Sequence, residues 1–160
     1  FSANILALVK GEPTTLSLRK MLDVFLDFRV ETIRRRTGFL LKKAEERDHI
    51  VKGLLLALDA MDEIINLIRS AKDTISAREK LQTDHELSST QAEAILQMQL
   101  RRLTALEADK IKAEHDELTQ RINQYQQILN SKDKIFEIIL EELKKSMKDF
   151  LLQEKQKYLI

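Results

Sequence analysis

Three histidines, two tyrosines and one run of three arginines are the residues best equipped for chemistry in this chain. A tyrosine becomes a nucleophile only beside a group that takes its proton. Tyr125 falls inside a strongly periodic apolar run and Tyr158 follows Gln156-Lys157 near the end, so both are expected to be structural. No nucleophile and base pairing is recognisable, and no residue is assigned as catalytic. His49, His85 and His115 stand apart, without a helical i,i+4 histidine partner or a carboxylate cluster, so no metal site is expected. His115 sits in an apolar seam, where a lone polar residue sets register or faces solvent. No glycine-rich phosphate loop is present to bind a nucleotide. Arg34, Arg35 and Arg36 form the one dense basic patch and are candidates for contact with nucleic-acid phosphates. The competing reading is a solvated helix face: consecutive helical residues point about 100° apart, and Glu31 is spaced to pair with one of the three. Arg101-Arg102 reads more simply as a favourable charge at a helix carboxyl end.

The elements that would position these residues are long helices. One third of the 160 residues are charged, there are three glycines and one proline, and Leu, Glu, Lys, Ala, Gln and Arg dominate. With 27 basic against 26 acidic residues the net charge is +1, so attraction to phosphate must be local if it exists. The absence of cysteine excludes disulfides and thiolate metal sites. No apolar run approaches the roughly 20 residues of a membrane span. A chain that begins at Phe1 reads as an excised fragment.

Asn4 to Val9 is a short apolar run ended by Lys10-Gly11-Glu12-Pro13, and Thr14 to Leu16 follows as a second extended piece, which predicts a small hairpin. Ser17 is placed as an N-cap, with Leu16 and Met21 as a hydrophobic staple. The helix it opens has a stripe of Leu18, Leu22, Phe25, Ile33, Leu40, Ala44, Val51 and Leu54, with Arg29, Arg36 and Arg47 in the gaps. Stepping by four and three from Ile111 gives a second seam through His115, Leu118, Ile122, Tyr125, Leu129, Lys132, Phe136, Ile139, Leu143, Ser146 and Phe150, the pattern of a coiled coil. It weakens at Asn130, Ser131 and Lys132, a candidate hinge.

Between the long helices, Asp59 is expected to cap a helix through Ile68, Ser76-x-x-Glu79 a short one, and Ser88-x-x-Gln91 a third as a capping box with Leu87 in its staple. Thr104-x-x-Glu107 is a further box, so QAEAILQMQLRRLTALEADKI reads as two helices meeting at a corner, the first from Ser89 to about Arg102. That helix carries apolar residues on more than one face, which implies both core and partner contacts. Gln91, Ala94, Ile95, Met98, Gln99 and Arg102 are its candidate dimer-interface residues. The predicted fold class is all-α: a long antiparallel two-helix coiled-coil arm with a small helical head at its tip, preceded by a short β-hairpin. The expected divisions are residues 1–16 for the hairpin, 17–54 for the outgoing helix, 55–104 for the head, 105–150 for the returning helix and 151–160 for a tail. From Ala105 to Phe150 the returning helix would span roughly 70 Å.

The segments FSANILALVKGEP, ETIRRRTGFLLKKAEERDHIVKGL, EIINLIRSAKD and above all LSSTQAEAILQMQLRRLTALEADKI resemble the A subunits of DNA gyrase and topoisomerase IV, the bacterial-type type IIA topoisomerases. The likeness runs from Phe1 to about Phe150, and is taken as one to gyrase in the first place. It implies the end of the tower domain, the coiled-coil arm and the head that forms the homodimer's exit gate, or C-gate. That gate would hold the dimer together during strand passage and open to release the transported duplex. The family's catalytic tyrosine lies upstream, preceded by an arginine, and neither Tyr125 nor Tyr158 matches it. The fragment itself is therefore expected to need no cofactor. The parent enzyme would use Mg2+ and ATP through other domains or its partner ATPase subunit. The implied partners are a second copy of the chain in a homodimer, the gyrase B type ATPase subunit, and double-stranded DNA; none is a membrane. The implied location is the bacterial cytoplasm with its nucleoid, or an organelle in a plant or apicomplexan. Periodicity alone would also admit a dimerising arm or spacer of a non-enzymatic chromosome-organising or scaffold protein.

Overall fold

The structure, a computed structural model, describes the backbone of residues 5–98 and 105–157 and the side chains of 5–98 and 108–154. Among the described residues the fold is all-α apart from one hairpin: β1 (Ile5–Val9), β2 (Glu12–Leu16), α1 (Leu18–Asp59), α2 (Met61–Ser70), α3 (Thr74–Asp84), α4 (Ser89–Gln97), α5 (Ala105–Asn130) and α6 (Lys132–Lys157). Two compact units form, one of residues 1–39 with 125–160 and one of residues 40–124.

In the first unit β1 and β2 pair antiparallel, with Val9 opposite Glu12 and Ile5 opposite Leu16. The two-residue turn between them has positive φ at Lys10 (54°) and Gly11 (89°), the combination whose twist matches that of the flanking strands. Alternation half-buries Ile5, Ala7 and Val9 and exposes Leu6 and Leu8. Ser17 caps α1, its Oγ accepting from the Lys20 N–H at 3.3 Å, and Leu16 beside it is buried. Ile33 of α1 packs with Ile135 and Ile139 of α6, and Val30, Ile128 and Ile138 close the cluster.

Both long-helix stripes depart from the sequence reading. Leu18 and Leu22 are largely exposed and Phe25 and Leu40 partly so, and Thr37 and Asp48 join Ile33, Ala44 and Val51 in the buried stripe, so the gaps are filled by Thr37 and Asp48 instead of Arg36 and Arg47. The arginines stand at the edges, where long stems keep their charge wet. On the return, Leu118 and Ile139 are buried as expected, but Ile135 replaces Phe136 and the half-buried Glu142 replaces Leu143. The change of phase coincides with Ser131, which lies outside both α5 and α6. There the Ser131 N–H bonds Ile128 O, three residues back. Such a turn is wound tighter than an α-helix, so the strict four-and-three spacing does not carry across it, although Ile139 keeps its place. Beyond it α6 continues to Lys157, through residues expected to be a tail, because they are mostly strong helix formers.

In the second unit α1 continues past Leu54 because Leu54 and Ala57 enter the core with Ile64, Leu67, Leu81, Leu87, Ala92, Ile95 and Leu96. Asp59 is thus the last residue of α1 and does not cap α2, whose N-cap is Ala60 without a side-chain bond. Asp62 and Glu63 in the first turn of α2 face its positive dipole end instead. Asp73, and not Ser76, caps α3, its carboxylate accepting from the Ser76 N–H (2.7 Å) and hydroxyl (2.6 Å). Asp73 has the extended backbone of an N-cap (φ −152°, ψ 171°), whereas Ser76 lies inside the helix. The Ser88 and Gln91 capping box is present. Helix α4 ends at Gln97, short of Arg102, with Met98 extended at ψ 120°. The Thr104 box lies outside the described residues.

Two glycines inside α1 make a pair of opposite tests. A Cβ on Gly53 would meet Gln91 Cγ at 2.6 Å and Cβ at 2.7 Å, whereas one on Gly38 meets nothing within 4 Å. Gly53→Ala is expected to cost about 1–3 kcal/mol, as overpacking does. Gly38→Ala should gain about 0.5–1 kcal/mol by removing the helix penalty of glycine. Thermal melts followed by circular dichroism decide it, since shifts of the same sign at both positions would refute the steric account.

Candidate functional site

Helix α4 is the element on which the expected partner contacts fall, and a polar lock fixes it against α1 within the second unit. Its N-cap Ser88 donates its N–H to Gln91 Oε1 (2.9 Å) and accepts the Gln91 N–H at Oγ (3.2 Å). Gln91 Nε2 then donates to the carbonyl of His49 at 2.7 Å, and His49 Nε2 lies 2.7 Å from Ser88 Oγ. Gln91 is only 8% exposed, with each of its named polar groups bonded. The lock closes only because Gly53, one turn along α1, offers no side chain.

A second polar group ties α1 to α5. Asp48, 5% exposed, lies 2.7 Å from His115 Nδ1 and 2.8 Å from Lys52 Nζ. Burial by itself pushes its carboxyl up, but hydrogen bonds and charge from Lys52 and His115 outweigh this and hold it below the ordinary value of 3.8. Beside it Arg47 grips Glu114 with two bonds, Nε to Oε1 at 2.6 Å and a terminal nitrogen to Oε2 at 3.0 Å. Leu54 shares a cleft with Lys110 and Ile111, while Glu45 shares another with Ile122 and Asn123, so α1 and α5 run antiparallel in this unit. In the first unit Glu142 of α6 takes both Arg29 and Arg36 of α1. Those partners, Arg36 foremost, hold its carboxyl below the ordinary range against some cost of burial.

The expected site residues separate under this geometry. Gln91 and Ile95 are buried within their own chain. Ala94 and Met98 line a cleft of about 450 Å³ against Arg47, Ile50 and Leu54 of α1 and Lys110, Ile111 and Glu114 of α5. Gln99 and Arg102 lie outside the described residues. Of the basic patch, Arg35 pairs with Glu31 and Arg36 with Glu142, and Arg34 is exposed without an ion pair among the described residues. Asn130 and Lys132 flank the helix interruption at Ser131. Tyr125 is half-buried in the first unit. Sequence reasoning set His115 apart, yet it has a buried carboxylate partner. The signal was available: Asp48 falls four residues after Ala44 and three before Val51, and a carboxylate in an apolar stripe must find a cation. Among the described residues no group of three His, Asp or Glu side chains is placed to hold a metal, and no helix is long and apolar enough to cross a membrane.

Residues 1–144 match the family model for the A subunit of DNA gyrase and topoisomerase IV. The chain belongs to this family. Among its similar relatives, the DNA gyrase A subunit of Synechocystis is 59% identical over 143 residues, 89% of this chain and 17% of the relative. The Halalkalibacterium halodurans DNA gyrase A subunit is 49% identical over 99% of the chain and 18% of its own length. A chloroplastic/mitochondrial DNA gyrase A subunit from Nicotiana benthamiana is 44% identical over 89% of the chain and 15% of its own length. This member of the gyrase and topoisomerase IV A-subunit family thus spans less than a fifth of the length of these relatives.

The lowered carboxyl of Asp48 has a defined pH signature. Such a group stabilises the fold fully above its ordinary value of 3.8, and the contribution is lost as pH falls through the lower folded value. Asp48→Asn should cost about 1.5–3 kcal/mol near neutral pH, the range for hydrogen bonds to charged groups. It should also flatten part of the acid limb of Tm against pH, with Glu142 and Asp73, depressed in the same direction, supplying the remainder. An acid limb identical to that of the parent chain would show that the Asp48 pair contributes nothing.

Proposed function

We propose that this chain is the coiled-coil and exit-gate segment of a type IIA DNA topoisomerase A subunit, of gyrase in the first place. It holds two A subunits together while one duplex is broken and another is passed, then opens to release the transported duplex. The observation that carries this reading is the match of residues 1–144 to the family, with DNA gyrase A subunits as its similar relatives. On this reading the work is mechanical. The nucleophilic tyrosine belongs to another part of the subunit, and Mg2+ and ATP act through other domains or the partner ATPase subunit. The polar locks support such a role because they fix α4, and the α1 and α5 stretches beside it, in one register. The helix interruption at Ser131 is the place where bending would cost least. Arg34 is the member of the basic patch left to face a passing duplex. The enzyme would act on DNA in the bacterial cytoplasm or, as the name of the plant relative suggests for that protein, in an organelle.

Sedimentation equilibrium of this chain from nanomolar to micromolar concentration tests the reading. A reversible dimer is expected. A strict monomer throughout that range would overturn the gate and leave a spacer or a dock for a different protein.

A further inference from the structure

We infer that Arg29 and Arg36 of α1 form a binding site for the backbone phosphates of a duplex, and that Glu142 of α6 competes with those phosphates for the two guanidinium groups. The inference rests on the reading above that the parent enzyme acts on DNA, and it gives one such contact a place and a control.

Two sets of interhelical ion pairs are built differently. Arg47 meets Glu114 one to one and uses two donors, so its fork is closed. Glu142 serves two arginines, each through a single terminal nitrogen: Arg36 donates to Oε1 at 2.9 Å and Arg29 donates to Oε2. A guanidinium carries five N–H donors, and neither arginine makes a second ion pair among the described residues. Two cations therefore stand against one carboxylate, with both forks partly unfilled. Seven residues apart, Arg29 and Arg36 project from the same edge of α1, and their tips already converge on Glu142. Arg34 lies about 200° round the helix from Arg36 and takes no part. One turn beyond Glu142 on α6, Lys145 adds an exposed cation without an ion pair among the described residues.

Phosphate oxygens suit this arrangement because a planar fork takes two of them at once. A duplex supplies them better than a free ion does. The Arg36 side chain is 51% exposed, so the site is an open edge on which a lone anion is screened by salt. A polyanion instead brings a row of phosphates and gains by releasing its counterions. Glu142 stands at the same guanidinium groups and repels an approaching phosphate, so a full fork on phosphate requires the arginine to leave the carboxylate. Duplex contact and the tie between α1 and α6 thus weaken each other, a coupling that acts equally in both directions.

Fluorescence anisotropy of a short labelled duplex, titrated with this chain across a salt series, tests the site. Glu142→Gln removes the competitor and is expected to tighten binding roughly tenfold. Glu141→Gln makes the same change of net charge at the exposed neighbouring position and should act only slightly. Arg36→Gln added to Glu142→Gln should abolish most of the gain and lower the slope of log affinity against log salt by about 0.9, the value for one phosphate. Arg36→Gln alone leaves Arg29 on Glu142, so circular dichroism should show the helices intact while duplex affinity falls. The site is a structural tie only if Glu142→Gln binds no tighter than Glu141→Gln, or if the gain survives without Arg36. Release of the duplex by inorganic phosphate at matched ionic strength would make it a site for a free anion instead. A chain that binds duplex in no variant overturns the inference and leaves the gate reading, which rests on dimerisation, standing.

Discussion

A side chain at position 53 would collide with Gln91, and the packing of the second unit depends on its absence. Glycine in a helix interior is normally a cost of about 1 kcal/mol. Here it lets the Gln91 stem lie directly on the α1 backbone. Because Gln91 also completes the capping box of its own helix, one residue satisfies the N-terminal N–H groups of α4 and ties α4 to α1 through the His49 carbonyl. The surrounding apolar residues, Ala57, Leu81, Leu87, Ala92 and Ile95, supply the larger free energy but little direction. The amide supplies the direction. A slip of one residue along α1 would strand a buried amide, a loss of about 1–3 kcal/mol.

The same division appears along the long helices. Isoleucine clusters such as Ile33, Ile135 and Ile139 would tolerate several neighbouring registers. Asp48 with His115, Arg47 with Glu114 and Glu142 with two arginines would not. The pairs differ in what they contribute. Those at the surface are worth little as stability, whereas Asp48 is buried and leaves an uncompensated charge if its partners move away. Register on this stretch of α1 is therefore set most strongly by one carboxylate.

Much of this was legible in the sequence because local chemistry dictated it. The hairpin follows from the break at Lys10-Gly11-Glu12-Pro13, although Glu12 and Pro13 belong to β2 and the turn is Lys10-Gly11 alone; the start of α1 follows from Ser17, and the start of α4 from Ser88 and Gln91. What failed was phase and competition. A strict alternation of four and three carried the seam past Asn130 as though the helix were uniform, and beyond the tight turn at Ser131 Ile135 takes the place given to Phe136. The α3 cap went to Asp73 because two candidate acceptors stood three residues apart and only their geometry separates them. For α4 the side-chain types pointed to surplus contact surface without saying which side was inward. Gln91, expected at a partner surface, is buried within its own chain, and the close approach of Gly53 explains its burial.

The gate proposed above is a joint that would open and close, and the outward part of α4 beside it carries the exposed Glu93 and Gln97. Buried area is a poor guide to affinity, because ordering and desolvation consume much of what apolar contact contributes. A broad dry patch would also be exposed whenever the joint was open, inviting the wrong partner. A polar outward face avoids the second difficulty, because its groups stay solvated whenever the surface is uncovered. The rigidity such a surface needs comes from behind it, where Gln91, His49 and Ser88 hold the α4 backbone and Leu81 holds α3. An interface supported in this way separates as a surface, with the helices that carry it intact.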